Sequence, residues 1–418
     1  MQNNKNYQQT KEFLIYIEKQ LVFQNSKGHK SFQELLSKYS GPLFIYDLDL
    51  IGDRIDKMKS ALKNVKLFYA MKANPNQQIL KLLLQQGLGA DVVSLGEINQ
   101  ALRVGFKPQD IVYSGVGKTK HELHQALELD IYQINVESLP ELERILGIAK
   151  QNINLKNKKI RVAFRLNPNI SIETHPYIAT GLRDNKFGID LDSFDDLLKI
   201  CLENNHHLSV QGISLHLGSQ MMEFAPLKDS LAKLKKYFLI LNQHFPECHC
   251  FDVGGGLGVF YQKQDLVQED QLLQEYAKTL FSELEELKDF IPNFEIQSEP
   301  GRWLVAHGGV LVSQVQYVKK TPYKEFIILD TGMNHLARPS LYEAYHEILP
   351  HKISLPPKQV FNYEVVGPIC ESSDFIGKNR NLTEVQQDDF MVISDCGAYG
   401  ASMSNDYNLQ PRAKEICI

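Results

Sequence analysis

The chain has 418 residues, of which 43% are hydrophobic and 23% charged, with a formal net charge of −5, and this is the composition of an ordinary globular protein. The charge balance and the lack of a basic block argue against a nucleic-acid or anionic-membrane partner, and no apolar run is long enough to span a membrane. Six dispersed cysteines are too sparse for a disulfide scaffold, and the polar N-terminus has no signal-peptide pattern, so we expect a cytoplasmic location.

The first predicted strand, 42–46, precedes a long region in which short β-rich runs alternate with helical ones. The eight predicted strands of this region are 66–71, 90–93, 111–114, 132–136, 159–166, 210–217, 249–253 and 294–298. The helical patterns are 77–86, 98–104, 121–129, 140–149, 194–203, 227–241 and 271–287. Strands that alternate with helices indicate a parallel sheet, and eight such units in about 250 residues favour a closed (β/α)8 barrel over residues 48–305. A doubly wound open sheet is the alternative fold.

The remaining sequence is β-rich without regular helices between the strands. Its predicted strands are 309–319, 325–330, 359–366 and 389–393. The class is therefore α/β, with residues 1–47 and 306–418 predicted to form a second, mainly β domain that the early strand 42–46 could join. The segment before about residue 35 has no predicted role.

Chemically distinctive residues fall at the ends of the predicted barrel strands. They are Lys72 after strand one, Asp91 at strand two, Arg165 and Asn167 at strand five, His216 at strand six, Gly254 to Gly258 at strand seven and Glu299 to Arg302 at strand eight. The C-terminal ends of barrel strands form one rim, where the active sites of such barrels lie. The sequence therefore predicts one site, built from segments that are far apart in the chain.

Each of these residues also has a purely structural interpretation. Lys72 could be a solvated lysine at a strand end, or a Schiff-base nucleophile at the mouth of the barrel. His216 could be a packed core histidine, and Glu299 could cap a helix. The glycine run 254–258 could be a tight turn, or a loop whose backbone N–H groups bind a phosphate. Taken singly, three of the four favour the structural interpretation.

The glycine run and one cysteine-containing run do not match the sequence motifs that they resemble. The glycines at 254–258 are not a dinucleotide fingerprint, because the sixth position of that motif is Val259. Cys248-His249-Cys250 has no further ligands at usable spacing, so core packing is expected and no metal site is predicted.

The second domain carries three dense polar segments, at 335–342, 367–374 and 395–400. In the middle segment Cys370 is followed by the acid Glu371, with Asp374 nearby. Acidic neighbours favour a protonated thiol, so Cys370 could be inert or could be a proton donor, a role that suits it better than that of a nucleophile.

Together these motifs resemble the fold-type III pyridoxal-phosphate decarboxylases, and within them the diaminopimelate decarboxylases, over about residues 42–412. The motifs are FYAMKAN at Lys72, THPYIATGLRDNKFGI at 174–189, HLGSQ at His216, GGGLG at 254–258, EPGR at 299–302, RPSLYEAYHEI at 338–348, CESSD at 370–374 and DCGAYG at 395–400. Two small departures are Cys396, where the family usually has alanine, and Trp303, where a smaller residue is common.

The resemblance implies the role of each residue toward pyridoxal 5'-phosphate. Lys72 would form the Schiff base with the cofactor, His216 would stack on its ring, and Glu299 would pair with the ring nitrogen. The expected contacts to the phosphate and its surroundings come from Ser219, Gly254, Gly255, Gly256, Gly301, Arg302 and Tyr399.

The resemblance also implies how the substrate is bound. Arg302, Arg338 and Tyr342, with Tyr399 nearby, would bind the distal carboxylate of diaminopimelate. Cys370, the proposed proton donor, and Glu371, which would contact a substrate amine, would come from the partner subunit of a homodimer. The second domain is thus expected to complete the active site.

The implied activity is that of a carboxy-lyase that converts meso-2,6-diaminopimelate to L-lysine and CO2, the last step of lysine biosynthesis. The alternative is a related decarboxylase for ornithine, arginine or carboxynorspermidine. Such an enzyme should not need Arg338, and ornithine-type enzymes tend to carry Asp at the position of Glu371. A non-catalytic binding relative is disfavoured because Lys72, Glu299 and Cys370 are all present. A cofactor carrier or racemase on the same barrel is disfavoured by the segment 338–374.

Overall fold

The computed structural model describes residues 13–155, 158–170, 185–262, 268–353 and 359–418. Within these residues the chain divides into two compact units. A barrel unit comprises Met58–Gly258 and Asp270–Gly301, and a sheet unit comprises Met1–Lys57, Val259–Glu269 and Arg302–Ile418.

The sheet unit opens with a small antiparallel sheet that the sequence analysis did not predict. It consists of β1 (Leu14–Ile17), β2 (Gln20–Asn25) and β3 (Gly28–Ser31). The loop between β1 and β2 has two residues, Glu18 and Lys19, both with positive φ, as a tight hairpin turn requires. The next elements along the chain are α1 (Gln33–Lys38), β4 (Leu43–Tyr46) and α2 (Leu48–Ala61).

The barrel unit contains eight parallel strands that close on themselves. Its strands, with the two-residue β10 beside the ring, are β5 (Val65–Ala70), β6 (Gly89–Val92), β7 (Ile111–Tyr113), β8 (Gln133–Val136), β9 (Ile160–Asn167), β10 (Ile189–Asp190), β11 (Leu208–Ser214), β12 (Cys250–Asp252) and β13 (Glu295–Ser298). The pairing of β8 with β9 closes the ring, with Ile134 opposite Val162. The predicted barrel is confirmed, and closure excludes the open doubly wound sheet.

Helices connect the barrel strands. They are α3 (Gln77–Gln85), α4 (Leu95–Val104), α5 (Lys120–Leu129), α6 (Leu139–Gln151), α7 (Phe194–Glu203), α8 (Ala225–His244) and α9 (Glu269–Leu284). Three of them begin at a hydroxyl N-cap that accepts the N–H of a glutamate three residues later, at Ser94, Thr119 and Ser138. Such a cap satisfies a backbone donor that the helix itself leaves unpaired, and this fixes where each helix starts.

The sheet unit continues after the barrel with α10 (Arg302–Val305), β14 (Gly309–Lys320), β15 (Glu325–Leu329), α11 (Arg338–Tyr342), β16 (Ile348–Pro350), β17 (Val360–Val366), β18 (Phe375–Thr383), β19 (Phe390–Ile393) and β20 (Lys414–Cys417). These strands form a mixed sheet in the order β16-β19-β14-β15-β17-β18, and β4 pairs with both β14 and β20. The early strand therefore joins this sheet, as predicted. Buried apolar residues of β4, β14 and β19 share a core with Phe23 of β2.

A chain of buried charged groups lies inside the sheet unit. Arg54 donates from both terminal nitrogens to the carboxylate of Glu269, at 3.1 and 3.2 Å. His307 Nε2 lies 3.0 Å from the same carboxylate, and its Nδ1 lies 2.5 Å from Asp395. Burial alone would raise the pKa of Glu269, but the positive charges of Arg54 and His307 lower it to about 2. The network ties α2, Glu269, the turn before β14 and the loop before Tyr399 together within this unit.

In the described part of the chain, no helix is both long and apolar enough to cross a membrane.

Candidate active site

Lys72 lies just beyond the first barrel strand. It belongs to a single 3-10 turn over Met71–Ala73, directly after β5, and its Nζ lies 3.5 Å from Oδ2 of Asp91 on β6. The Asp91 side chain is fully buried, whereas the Lys72 side chain keeps 35% of its exposure. The other carboxylate oxygen of Asp91 is buried without a hydrogen-bond partner among the described residues. The barrel rim therefore carries an accessible amine beside a buried carboxylate.

His216 follows β11 at the same rim. The backbone N–H of Gly255 donates to Nδ1 of His216 at 3.2 Å, so Nδ1 carries the lone pair of this ring. Burial lowers the pKa of His216 well below its usual value, and the positive charges of Lys72 and Arg165 lower it further. Arg165 is fixed by Glu137, whose two carboxylate oxygens each lie 3.0 Å from its Nη1. His216 is therefore a neutral ring, which suits stacking better than proton donation.

The three glycines after β12 are packed too closely for any side chain. A Cβ on Gly254, Gly255 or Gly256 would collide with a backbone carbonyl oxygen, those of Leu215, Glu299 and Gly218 respectively. Gly254 also has a φ of +66°, in the left-handed region that favours glycine. The backbone of this loop can therefore approach a bound group closely.

The backbone N–H groups of the three glycines differ in their hydrogen-bond acceptors. The Gly254 N–H donates to Oδ1 of Asp252 at 2.8 Å, and the Gly255 N–H is taken by His216. The Gly256 amide has no acceptor within the described residues. Ser219, directly after Gly218, is half-buried beside this loop. An open N–H and a hydroxyl are the donors that a phosphate binds.

Glu299 directly follows β13 and is buried. Its Oε1 accepts a hydrogen bond from the Asn135 side-chain amide at 3.2 Å, and its carboxyl group shares a hydrogen bond with Asp252. Burial raises the pKa of Glu299 well above its usual value, and the negative charges of Asp252 and Asp91 raise it further. Burial likewise raises the pKa of Asp252, to about 6. Because two buried carboxylates cannot easily ionise side by side, the pair retains a proton.

Gly301 closes the rim beside β5. A Cβ added to it would lie 3.0 Å from Cβ of Ala70 and 3.2 Å from Cβ of Ala73. The carbonyl of Pro300 accepts the N–H of Ala70 at 3.0 Å. The last barrel segment is thereby held against the turn that carries Lys72.

These features of the barrel unit fit pyridoxal phosphate. The unpaired oxygen of Asp91 and the proton-retaining pair Asp252–Glu299 suit a cationic ring, because a positive charge would stabilise their ionised forms. The side-chain-free glycine loop suits a phosphate. Lys72 carries a primary amine, the group that the cofactor's aldehyde would require.

The sheet unit holds a second cluster around Arg302. Nη1 of Arg302 donates to the hydroxyl of Tyr261 at 2.7 Å, and its guanidinium lies 4.7 Å from the ring centre of Tyr399. Burial alone would lower the pKa of Arg302, but the neighbouring tyrosines Tyr261, Tyr399 and Tyr342 raise it. Tyr399 has a φ of +58°, between Ala398 and Gly400. The expected residues Arg302, Tyr342 and Tyr399 are therefore neighbours in this unit.

Arg338 is the second arginine of this cluster. It begins α11 and is 5% exposed. Its Nη1 lies 2.8 Å from Nε2 of His346, and its guanidinium lies 4.6 Å from the ring centre of Tyr261. Burial lowers the pKa of Arg338, and the positive charge of Arg302 lowers it further. No carboxylate of the described residues lies within ion-pair distance of Arg338.

Cys370 and Glu371 lie on the surface of the sheet unit. Cys370 is exposed, and its backbone N–H donates to Asn408 at 3.0 Å. The Glu371 carboxylate accepts the hydroxyl of Tyr407 at 2.5 Å. Leu409, close to Tyr407 in the sequence, is 92% exposed, which is unusual for a large apolar side chain.

Several residues of these clusters were missed or left without a role by sequence reasoning. Asp91 was noted only as a strand end, and Asp252, Asn135, Tyr261 and His346 were not singled out. Asp252 directly precedes the glycine loop and His346 lies inside the 338–348 motif, so both could have been found by position. Tyr261 and Asn135 carry no such signal. Most of the 174–189 motif, residues 174–184, lies outside the described residues.

Comparison with known proteins identifies the family. The model of the family described as pyridoxal-dependent decarboxylase, pyridoxal binding domain, matches residues 48–306. A diaminopimelate decarboxylase from Campylobacter jejuni is 41% identical over 391 residues, which are 93% of each chain. The crystal structure of diaminopimelate decarboxylase from Helicobacter pylori, complexed with L-lysine, matches with a TM-score of 0.84 and 39% identity, over 93% of this chain and 94% of that one. The enzyme from M. jannaschii, in co-complex with L-lysine, matches with a TM-score of 0.87 and 32% identity, over 98% and 93% of the two chains. The chain therefore belongs to the pyridoxal-phosphate-dependent decarboxylases and, within them, to the diaminopimelate decarboxylase family.

Proposed function

We propose that this protein is a carboxy-lyase that converts meso-2,6-diaminopimelate to L-lysine and CO2, with pyridoxal phosphate as cofactor, at the last step of lysine biosynthesis. The observation that carries the proposal is Arg338. A buried guanidinium without a carboxylate partner in the described chain is a binding group for an anionic ligand. A substrate with a second carboxylate would supply that anion, whereas a diamine-forming substrate such as ornithine would not.

The cofactor-holding residues belong to the barrel unit. Lys72 would hold the cofactor through its amine, the glycine loop and Ser219 would hold the phosphate, and His216 would cover the ring. When bound, pyridoxal phosphate supplies an electron sink that stabilises the negative charge left on the α-carbon when CO2 departs. Glu299, backed by Asp252, would keep a proton on the ring nitrogen, because its carboxylate is stabilised by a cation at that position.

The substrate-holding residues belong to the sheet unit. Arg302 and Arg338 would bind the carboxylate of the unreacted end of the substrate, and Tyr342 and Tyr399 would assist them. Guanidinium groups bind carboxylates through paired N–H donors, which fix orientation as well as position. The arginines would thereby select the substrate and hold its unreacted end.

We propose that Cys370 and Glu371 act in the active site of a partner subunit, in a homodimer. Their exposure in the single chain supports this role, as do the exposed side chains of Leu341, Tyr407 and Leu409 on the same unit. Large exposed apolar side chains are common at subunit interfaces. The Cys370 thiol would donate its proton from Sγ to the α-carbon after CO2 has left, and Glu371 would bind a substrate amine.

We also propose a cytoplasmic location. Its support is that none of the six cysteines forms a disulfide, as expected in a reducing compartment.

The activity can be tested directly on purified protein supplied with pyridoxal phosphate. We expect CO2 release and L-lysine formation from meso-diaminopimelate, and no release from ornithine or arginine at the same concentration. Release from ornithine alone would overturn the substrate assignment. No release from any of these amino acids, with the cofactor visibly bound, would overturn the assignment as a decarboxylase.

A further inference from the structure

We propose that His346 and Tyr261 are positioning residues that hold the guanidinium groups of Arg338 and Arg302 ready for the second carboxylate of the substrate. The inference rests on the proposed function, since it concerns how the same substrate is recognised. It assigns to two neutral side chains the selectivity for a substrate with two carboxylates.

The hydrogen bonds of His346 define which of its nitrogens carries the proton. Its Nδ1 lies 2.8 Å from the carbonyl oxygen of Ser394. A carbonyl oxygen can only accept, so Nδ1 donates and carries the hydrogen. Nε2 then accepts from Nη1 of Arg338, which lies 2.8 Å away. His346 is completely buried, so the carbonyl of Ser394 holds the ring in the orientation that Arg338 requires.

A neutral partner leaves the charge of Arg338 available. A carboxylate in place of His346 would neutralise the guanidinium and compete with a ligand for its donors. The imidazole occupies a single N–H of the five that arginine carries, and it adds no negative charge. His346 therefore fixes the direction of the guanidinium without satisfying its need for an anion.

Tyr261 contacts both arginines at once. Its hydroxyl accepts from Nη1 of Arg302 at 2.7 Å, and its ring centre lies 4.6 Å from the guanidinium of Arg338. The same ring meets His346 edge to face, with 5.4 Å between ring centres and 66° between ring planes. Two like charges repel when no anion separates them, and an aromatic face attracts a cation. Tyr261 thus sets the spacing of the two guanidinium groups before any carboxylate arrives.

A purely structural role predicts a different result from a positioning role. If His346 and Tyr261 only fill the core, their replacement lowers stability and leaves the affinity for carboxylate ligands unchanged. If they position the arginines, affinity falls for ligands that carry the second carboxylate and stays the same for ligands that lack it. L-lysine keeps the carboxylate of the unreacted end, and cadaverine, the same chain without it, is the matched probe.

The experiment compares the holoenzyme with the variants His346→Ala, His346→Gln and Tyr261→Phe. His351→Ala is the matched control, because His351 is also buried in the sheet unit and is hydrogen-bonded to Gln33 at 2.9 Å. Binding of L-lysine and of cadaverine is measured by calorimetry, which needs no turnover. KM and kcat for meso-diaminopimelate are measured in parallel, and thermal unfolding reports the stability of each variant.

For His346→Ala we expect L-lysine to bind roughly ten- to a hundredfold more weakly, the range for a lost hydrogen bond to a charged group. KM should rise by a similar factor with kcat little changed, the pattern of a lost contact that is the same in ground and transition states. Cadaverine binding should not change. His346→Gln restores an acceptor oxygen and should recover most of the affinity, while Tyr261→Phe should weaken L-lysine binding several-fold.

Unchanged L-lysine binding in His346→Ala and Tyr261→Phe, or an equal loss in His351→Ala, would overturn the inference. An equal loss for cadaverine would do the same, since the effect would then not pass through the carboxylate. Failure of the proposed function is a separate result. It is seen as an unmodified protein that releases no CO2 from meso-diaminopimelate, and it leaves the lysine and cadaverine comparison readable.

Discussion

Asp252 and Glu299, at the ends of two neighbouring barrel strands, share a hydrogen bond between their buried carboxyl groups. The side-chain amide of Asn135 bridges them, at 3.4 Å from Asp252 and 3.2 Å from Glu299. Asp252 also accepts the N–H of Gly254, and the Gly254 carbonyl accepts the N–H of Glu299 at 2.7 Å. One carboxyl group thus connects the glycine loop with the carboxylate that we expect at the ring nitrogen.

This arrangement predicts how the stability of the cofactor-free protein depends on pH. Burial raises the pKa of Asp252 from 3.8 to about 6, so its contribution to stability is complete below about pH 4 and is lost as the pH rises through 6. Asp252→Asn keeps the acceptor for Gly254 but cannot ionise, so its thermal unfolding should change less between pH 4 and pH 7 than that of the unmodified protein.

The control for this prediction is Asp289→Asn, in which an exposed carboxylate of the barrel unit is replaced. The unfolding temperature of this variant should change with pH in the same way as that of the unmodified protein. Parallel curves for Asp252→Asn and the unmodified protein would show that the carboxyl pair does not titrate as a buried unit.

Lys72→Ala should abolish the visible absorbance of the bound cofactor and reduce CO2 release to background, because Lys72 is the amine expected to hold the cofactor. The control is Lys118→Met, which removes a buried lysine of the barrel unit. Lys118 Nζ is fully engaged, by the carbonyls of Gly115 and Asn135 and by Glu141, at 2.7 to 2.8 Å. That variant should lose stability and keep the absorbance band. Retention of the band in Lys72→Ala would show that another lysine holds the cofactor.

The barrel could be predicted from the sequence because its strands are short apolar runs between helices of regular period. For the helix over 194–203, both the predicted first residue and the predicted last residue agree with the structure. Other elements were predicted with wrong bounds or missed, because the residues that mark their ends do not coincide with the apolar pattern or lack the usual turn residues. The helix predicted from residue 98 begins at Leu95, because the Ser94 hydroxyl caps it before its apolar stripe starts. The first hairpin was missed because its turn is Glu18-Lys19, which lacks the glycine or asparagine that usually marks such a turn.

The candidate site could be predicted only in part, for a physical reason. Lys72, His216 and Glu299 stand at strand ends, and parallel strands bring their ends to one rim whatever the intervening sequence. Tyr261, by contrast, contacts Arg302 and Arg338, which lie far from it in the sequence, and no local pattern encodes these contacts. A tyrosine of this kind has no distinguishing signal until its partners are placed around it.

The buried network of the sheet unit predicts a large loss of stability in Glu269→Ala. Removing this carboxylate leaves Arg54 and His307 buried without their shared partner, and breaking such a buried ion pair destabilises a protein by about 3–5 kcal/mol. The midpoint of urea unfolding measures the loss. Lys27→Ala, which breaks an ion pair with an exposed lysine, should change the midpoint little. A similar midpoint shift in both variants would contradict a special role for the network.

The same network predicts the response to acid. The pKa of Glu269 is lowered from 4.5 to about 2, so its contribution is fully present above pH 4.5 and is lost as the pH falls through 2. The difference in stability between the unmodified protein and Glu269→Gln should therefore shrink as the solution is acidified from pH 5 toward pH 2. A difference that is constant over this range would show that the carboxylate is not held in its charged form by Arg54.

If each subunit contributes Cys370 to the active site of its partner, two variants that are inactive alone should complement each other when mixed. Cys370→Ala should bind the cofactor normally but turn over roughly 10²–10⁴-fold more slowly, as for loss of a proton donor. When Cys370→Ala and Lys72→Ala are mixed and allowed to exchange subunits, each mixed dimer contains one barrel with Lys72 that faces an intact Cys370, so part of the activity should return. Lys72→Ala mixed with Glu299→Gln should recover nothing, because both changes fall on residues that serve the barrel of their own subunit. Recovery in neither mixture, with subunit exchange verified, would place Cys370 in the site of its own chain or outside the reaction altogether.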